Sequence, residues 1–167
     1  MTIDEFKQKL LPLQQKMYNT AYRLMCTPQD AEDMVQEAYI KLWSQRDHLP
    51  TDGNITGFCI TLTRNLCIDH IRRNHIMTID DEPDSDSLLS DTDASSAITN
   101  RENSLELYTL LSMLSPQARE VIVLRDIEGM EYAEISSLTG LSEVHIRVLI
   151  SRGRKEIRRM FTKLSKR

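Results

Sequence analysis

The sequence predicts an all-α protein in which two small helical domains are joined by a flexible acidic linker. Apolar residues recur at helical spacing through most of the chain, and no segment combines strand alternation with turn residues. Residues 76–100 hold seven acidic residues and neither a basic nor an aromatic one. Such a segment cannot bury enough apolar surface to offset its ordering entropy. We therefore predict a first domain at 1–75, a linker at 76–102 and a second domain at 103–167.

Two helix starts are predicted in the first domain. Thr2 and Glu5 have the spacing of a capping box, and Pro12 is expected to interrupt the helix that they begin. Thr27 is a suitable N-cap for the next long helix, because Pro28 then takes its first position. We expect this helix to bury the stripe Ala31, Met34, Val35, Ala38 and Leu42.

A polar loop at residues 44–56 separates that helix from the next, predicted at 57–74 with Thr56 as its cap. Helical spacing turns one set of residues inward: Cys59, Leu62, Thr63, Leu66, Cys67 and His70. The same spacing turns another set outward: Thr61, Arg64, Asn65, Ile68 and Arg72. Arg73 and Asn74 are expected to close the helix.

The second domain begins with a helix at 105–114, and Ser115 then caps a helix that ends near Gly129. Another helix ends at Gly140, and Ser142 starts the last one at once. Its apolar stripe is Ile146, Leu149, Ile150, Gly153, Ile157 and Met160. Its opposite face is mainly basic and comprises Arg147, Ser151, Arg154, Lys155, Arg158 and Arg159. The pattern predicts a DNA-binding helix-turn-helix, and a solvated basic helix on an ordinary bundle is the alternative.

The charge distribution favours a nucleic-acid partner at one end of the chain. The formal net charge is only −4, but residues 141–167 carry +7 and residues 76–100 carry −7. A clustered basic segment is the usual electrostatic mark of a nucleic-acid-binding protein.

The cysteines and histidines do not form a metal-binding pattern. Cys26, Cys59 and Cys67 are odd in number and lack metal-ligand spacing. We expect them to be reduced, buried side chains, and we expect no metal and no cofactor. Because neither a signal peptide nor a transmembrane-length apolar run is present, we expect a soluble cytoplasmic protein.

Two sequence blocks resemble the group 4 (extracytoplasmic-function, ECF) sigma factors of bacterial RNA polymerase. DAEDMVQEAYIKLW at 30–43 and TGFCITLTRNLCIDHIRR at 56–73 are similar to sigma region 2, and LSPQAREVIVLRDIEGMEYAEISSLTGLSEVHIRVLISRGRKEIR at 114–158 is similar to region 4. The resemblance implies an alternative sigma factor without catalytic activity and without a small-molecule substrate. Its implied partners are core RNA polymerase (the β′ coiled coil and the β flap), promoter DNA and an anti-sigma factor.

The resemblance also assigns residues to three contacts. Those implied at the polymerase β′ coiled coil are Asp33, Gln36, Glu37 and Ile40; the alternative is that this acidic face is simply solvated. Those implied at the −10 promoter element are Asp52, Asn54, Arg64, Asn65, Arg72 and Arg73. Those implied at the −35 element are Val144, His145, Arg147, Val148, Ser151, Arg152, Arg154 and Lys155.

The last helix departs from the family pattern at three positions. Val148 and Leu149 replace a serine and an arginine that are common there, and His145 replaces the usual threonine. Since Leu149 belongs to the inward stripe, we expect one DNA contact to be missing. Val144 and Val148 are suited either to thymine methyl groups or to packing against a neighbouring helix.

Two other functions remain open at this point. A free-standing helix-turn-helix regulator would bind a palindromic operator as a dimer, without polymerase. A metal-dependent enzyme would have to use Glu32, Asp33 and Glu37, which make a poor site because no histidine and no second carboxylate cluster accompany them. The acidic linker is either a solvated spacer or, as the resemblance implies, a segment that occupies the RNA-exit channel of the polymerase.

Overall fold

The computed structural model describes residues 1–51, 53–77 and 101–165, and every regular element in these ranges is helical. The fold class is therefore confirmed. The α-helices in chain order are α1 (Ile3–Leu10), α2 (Gln14–Met25), α3 (Pro28–Ser44), α4 (Ile55–Met77), α5 (Arg101–Met113), α6 (Pro116–Ile122), α7 (Tyr132–Thr139) and α8 (Glu143–Ser165). Short 3₁₀ turns occupy Leu11–Leu13 and Arg46–His48, and a π-helical turn occupies Val123–Ile127.

The chain divides into two compact units, Met1–His70 and Ile71–Arg167, with the boundary inside α4. The predicted limits at 1–75, 76–102 and 103–167 stay a prediction. The ends of the predicted linker belong to helices, because α4 continues to Met77 and α5 begins at Arg101. The rest of the linker lies outside the described residues.

The first unit is built around the packing of α2 on α3. The predicted capping box of α1 is confirmed, since Thr2 Oγ1 accepts a hydrogen bond from Glu5 N and the Glu5 carboxylate accepts one from Thr2 N. All five predicted stripe residues of α3 are buried. Ala31 and Ala38 are small enough to let α2 approach closely, and each large apolar side chain buried there contributes about 1.5–3 kcal/mol.

Two details of the first unit differ from the prediction. The fourth helix begins at Ile55, so Thr56 lies inside it, and Asn54 precedes it with its carbonyl accepting from Phe58 N at 3.1 Å. Ile68, predicted to face outward, is only 1% exposed. The buried face of α4 is therefore wider than a single stripe and includes Ile68 beside Cys67.

The second unit packs α5, α6 and α7 against α8. Ser115 caps α6 as predicted, with its Oγ accepting from Ala118 N at 3.3 Å. The buried Arg119 side chain donates from Nε to the Leu111 carbonyl at 2.9 Å and from Nη2 to the Leu114 carbonyl at 3.3 Å. These bonds add side-chain donors to two carbonyls near the end of α5, and the Leu111 carbonyl also accepts from Leu114 N at 3.2 Å.

Gly153 lets α8 come close to α6. A Cβ at this position would collide with the Cδ1 atom of Ile122. The predicted apolar stripe of α8 is otherwise buried, apart from the half-buried Ile157.

The three cysteines are free thiols. Cys59 and Cys67 are fully buried, and burial raises the pKa of Cys59 to about 11 and that of Cys67 to about 12. These two thiols are therefore protonated at neutral pH and act as small apolar core groups. Cys26 is half-buried and ends α2 in a left-handed conformation (φ 58°).

Candidate nucleic-acid interface

The turn between α7 and α8 is formed by a glycine and an N-cap serine, as the sequence predicts. Gly140 ends α7 with φ 77°, and its N–H donates to the Ser136 carbonyl at 2.9 Å. Ser142 Oγ then accepts a hydrogen bond from His145 N at 3.1 Å and starts α8. Because Gly140 ends α7 in the left-handed conformation and Ser142 caps α8 two residues later, only a short turn separates the two helices of the motif.

The outer face of α8 carries the residues predicted for the −35 element. Val144, Arg147 and Lys155 are exposed, with Val144 at 69%. The remaining predicted residues are half-buried: His145, Val148, Ser151, Arg152 and Arg154. Leu149 is buried, in agreement with its place on the inward stripe.

Arg154 is held by a carboxylate of its own unit. Its Nε donates to Asp126 Oδ2 at 3.0 Å, and its Nη2 donates to Asp126 Oδ1 at 2.5 Å. The Arg154 side chain is only 20% exposed. This bidentate pair compensates one of the basic charges that the sequence assigned to DNA binding. Nothing in the helical pattern of α8 identified Asp126, which lies 28 residues away in the π-helical turn.

Arg147 lies against an aromatic ring. Its guanidinium carbon is 4.7 Å from the centroid of the Tyr132 ring, and the guanidinium carbon of Arg125 is 4.4 Å from the same centroid. Both distances lie within the range of a cation–π contact. The sequence analysis did not identify Tyr132 as a contact of these two arginines.

The residues predicted for the −10 element lie on α4 and the loop before it. Asn54 is exposed, and its Oδ1 atom comes within 2.7 Å of the position that a Cβ of Gly57 would occupy. Glycine at that position therefore leaves room for the amide of Asn54 over the first turn of α4. Asp52 lies outside the described residues.

On α4 itself, Arg64 and Asn65 are half-buried, whereas Arg72 and Arg73 are exposed. Asn65 and Arg72 are seven residues apart, so they share one face of the helix, about 10 Å apart along its axis. The Oδ1 atom of Asn65 is buried and accepts no hydrogen bond from any described residue.

The outward face of α3 has the composition predicted for a protein partner. Asp33 and Gln36 are exposed and Glu37 is half-buried, while Ile40 is 70% exposed among them. Gln36 also lines a groove of about 660 Å³ whose other lining residues are Leu11, Pro12, Gln14, Gln15, Tyr18, Glu32, Val35 and Tyr39. This face therefore combines one exposed apolar side chain with polar and acidic neighbours.

Trp43, an aromatic residue near the predicted −10 segment, packs within the first unit. The Trp43 ring meets Phe6 edge-on at a centroid distance of 5.1 Å, and the guanidinium carbon of Arg46 lies 4.3 Å from its centroid. Arg46 Nη1 also donates to the Trp43 carbonyl at 2.9 Å. Trp43 therefore has a structural role in holding α1 against α3.

Among the described side chains, no group of three His, Cys, Asp or Glu residues could hold a metal ion. Within the described ranges, no helix has both the length and the apolar character that crossing a bilayer requires.

Comparison with known proteins places both units in one family. Sigma-70 region 2 matches residues 11–75, and sigma-70 region 4 matches residues 104–157. The chain belongs to the sigma-70 family and, within it, to the ECF sigma factors.

Similar proteins include the ECF RNA polymerase sigma factor SigE of Mycolicibacterium smegmatis, which is 31% identical over 90% of this chain and 59% of its own length. The probable ECF RNA polymerase sigma factor SigI of Mycobacterium tuberculosis is 33% identical over 84% of this chain and 50% of its own length. The chain thus spans only about half the length of these curated relatives.

A solved structure shares the fold. The sigma factor RpoE from Bartonella quintana, crystallised with the anti-sigma factor NepR, matches with a TM-score of 0.57 and 23% identity, over 96% of this chain and 98% of that one.

Proposed function

We propose that this protein is an alternative sigma factor, which binds core RNA polymerase and directs promoter-specific transcription initiation. The proposal depends chiefly on the helix-turn-helix of the second unit, whose last helix presents exposed Arg147 and Lys155 while its apolar stripe is buried. A helix-turn-helix alone is shared by many regulators, but here it follows a sigma region 2 in the family order.

In this proposal α8 enters the major groove of the −35 element. Arg147 and the exposed Val144 supply base contacts, since an arginine can bond a guanine edge and a valine can contact a thymine methyl group. Lys155 supplies a phosphate contact, which adds affinity without sequence preference. His145, Val148, Ser151, Arg152 and Arg154 complete the proposed −35 surface.

In this proposal helix α4 and the loop before it serve the −10 element and strand opening. Arg72 and Arg73 are suited to phosphates, and the amides of Asn54 and Asn65 are suited to base edges. Asp52 and Arg64 belong to the same proposed surface. Holding bases of the open strand in this way lowers the cost of unstacking them.

The outward face of α3 binds the polymerase in this proposal, at the coiled coil of the β′ subunit, while the second unit meets the β flap. Asp33 and Glu37 supply negative charge for a basic partner, which speeds and orients association, and Ile40 supplies apolar contact area. The protein itself catalyses no reaction and takes no small-molecule substrate, because the chemistry belongs to the polymerase. It acts in the cytoplasm under the control of an anti-sigma factor, as the RpoE–NepR complex illustrates for another member of the fold.

The polymerase contact is tested with the variant Ile40→Asp. Because Ile40 is 70% exposed, the substitution leaves the core intact. It should weaken binding to purified core polymerase about tenfold or more, since an apolar residue at the centre of an interface contributes strongly to affinity. Ile3→Asp is the matched control, because Ile3 is an exposed isoleucine on a different helix, α1. Equal affinities for the two variants would refute the assignment of α3.

A further inference from the structure

The ring of Tyr132 is shared by two arginines that come from different elements. Arg125 belongs to the π-helical turn, and Arg147 belongs to the second turn of α8. Their guanidinium carbons lie 4.4 Å and 4.7 Å from the ring centroid. Arg125, Tyr132 and Arg147, which we call the arginine–tyrosine stack, thus connect the π-helical turn to the reading face.

Arg125 is the anchored member of the arginine–tyrosine stack. Its Nη1 donates to the Met130 carbonyl at 2.8 Å and lies 3.8 Å from the carboxylate of Glu131. Gly129, with φ 70°, allows the chain to turn between the π-helical turn and α7. The half-buried ring of Tyr132 is therefore held by a side chain that is itself fixed at two points.

Arg147 is the exposed member of the arginine–tyrosine stack, and its guanidinium contacts the Tyr132 ring. An exposed arginine loses a large rotamer entropy when DNA fixes it. Contact with the ring restricts the guanidinium plane before binding, and the N–H groups at its edge stay available. A guanidinium held in this way is suited to the O6 and N7 acceptors of a guanine in the major groove.

We infer that Tyr132 is a positioning residue for Arg147, and that the arginine–tyrosine stack makes the second unit select a guanine within the −35 element. This inference rests on the proposed function, which assigns Arg147 to the −35 element. Tyr132 does not itself touch DNA. It acts through the orientation of Arg147, and the contacts of Arg125 act through the orientation of Tyr132.

The test is transcription by polymerase reconstituted with the full chain, on a promoter library in which the −35 element is randomised. Arg147→Ala should abolish the preference for guanine at one position. Tyr132→Leu should reduce the preference at that same position by roughly two- to fivefold, as expected for loss of one cation–π contact. Tyr132→Phe keeps the ring and should restore the preference. Phe161→Leu is the matched control, because it removes an exposed ring elsewhere on α8.

A double variant separates positioning from a purely structural role. If Tyr132 acts through Arg147, adding Tyr132→Leu to Arg147→Ala changes the sequence preference no further. If Tyr132→Leu lowered the sequence preference equally in the wild-type protein and in the Arg147→Ala variant, the inference would be overturned. Absence of any −35 preference in the wild-type protein would instead contradict the proposed function.

A measurement on the free wild-type protein remains informative if Tyr132→Leu does not fold. A guanidinium near the face of a ring has its side-chain protons shifted upfield in NMR spectra by the ring current. The Arg147 signals, assigned by their loss in Arg147→Ala, should show this shift. Arg147 signals at ordinary positions would overturn the inference whatever the transcription result.

Discussion

Replacing Asp126 by asparagine removes the charge that holds Arg154, while the side-chain shape is kept. The two residues are joined by two hydrogen bonds, at 3.0 Å and 2.5 Å, which connect the π-helical turn to the middle of α8. The Asp126 side chain is 34% exposed and that of Arg154 is 20% exposed, so the pair is partly shielded from water.

The expected cost of this change lies between two limits. Exposed ion pairs contribute about 0.2–1 kcal/mol, whereas hydrogen bonds to charged groups contribute about 1.5–3 kcal/mol. Because the pair is bidentate but not buried, we expect a loss of about 1 kcal/mol in the local opening free energy. Amide hydrogen exchange in α8 and the π-helical turn should then be about fivefold faster.

The same substitution should strengthen DNA binding, although it weakens the local structure around Asp126. Arg154 released from Asp126 is available to a phosphate, and each phosphate contact adds about 0.9 to the slope of log K against log salt. We therefore expect tighter binding at low salt and a slope that is steeper by about one unit.

Hydrogen exchange followed by mass spectrometry measures the first effect, and fluorescence anisotropy of a labelled duplex in a KCl series measures the second. Glu134→Gln is the control. Glu134 is an exposed residue of α7, so this variant removes one negative charge and leaves Asp126 and Arg154 unchanged. If the Asp126 variant matched this control in both exchange rate and salt slope, the Asp126–Arg154 pair would neither stabilise the π-helical turn nor keep Arg154 from DNA.

Three other predictions follow from the second unit. Burial raises the pKa of the Glu120 carboxyl, which is 3% exposed, to about 8 from an ordinary value of 4.5. The folded state therefore binds the Glu120 proton more tightly than the unfolded state does. The protonated carboxyl makes its full contribution to stability below pH 4.5, and this contribution is lost as pH rises through about 8. In urea titrations across this range, the free energy of unfolding should fall by about 1 kcal/mol per pH unit, and Glu120→Gln should remove this slope. Identical pH profiles for the two proteins would contradict the prediction. Gly153→Ala should destabilise the protein by about 1–2 kcal/mol in thermal melts through the collision with Ile122 Cδ1. Ile122→Val deletes that methyl group and should recover part of the loss, so a purely additive double variant would be inconsistent with a collision. Arg147→Ala should relax base preference in the −35 element by about 1–3 kcal/mol, whereas Lys155→Ala weakens binding to all sequences alike, and gel-shift titrations on cognate and scrambled duplexes distinguish them.

Local chemistry made much of the fold predictable. The stripe on α3 was correct at every position because its apolar residues follow one helical period. Gly140 ends α7, as expected from turn chemistry, and Ser142 caps the start of α8, as expected from capping chemistry.

The errors have one local and one tertiary cause. Thr56 has good capping chemistry, yet α4 starts two residues before the predicted Gly57, directly after Asn54, whose amide fits over Gly57. Ile68 lies beside outward residues in the helical projection, but surrounding elements bury it.

The candidate site was predictable in its residues but not in their partners. Helical spacing placed Arg147 and Arg154 on the outer face of α8 without indicating what each side chain contacts. Asp126 and Tyr132 are 28 and 15 residues away from these arginines along the chain, and only the folded turn brings them together. The functional roles assigned to the α3, α4 and α8 faces stay predictions until they are measured.

The most direct test combines purified chain and core RNA polymerase in one transcription assay on a promoter library. A sigma factor should comigrate with core polymerase and yield transcripts whose templates share separate −10 and −35 sequences. A chain that fails to comigrate with core polymerase, yet protects a symmetric operator by itself, would contradict the account and indicate a free-standing regulator.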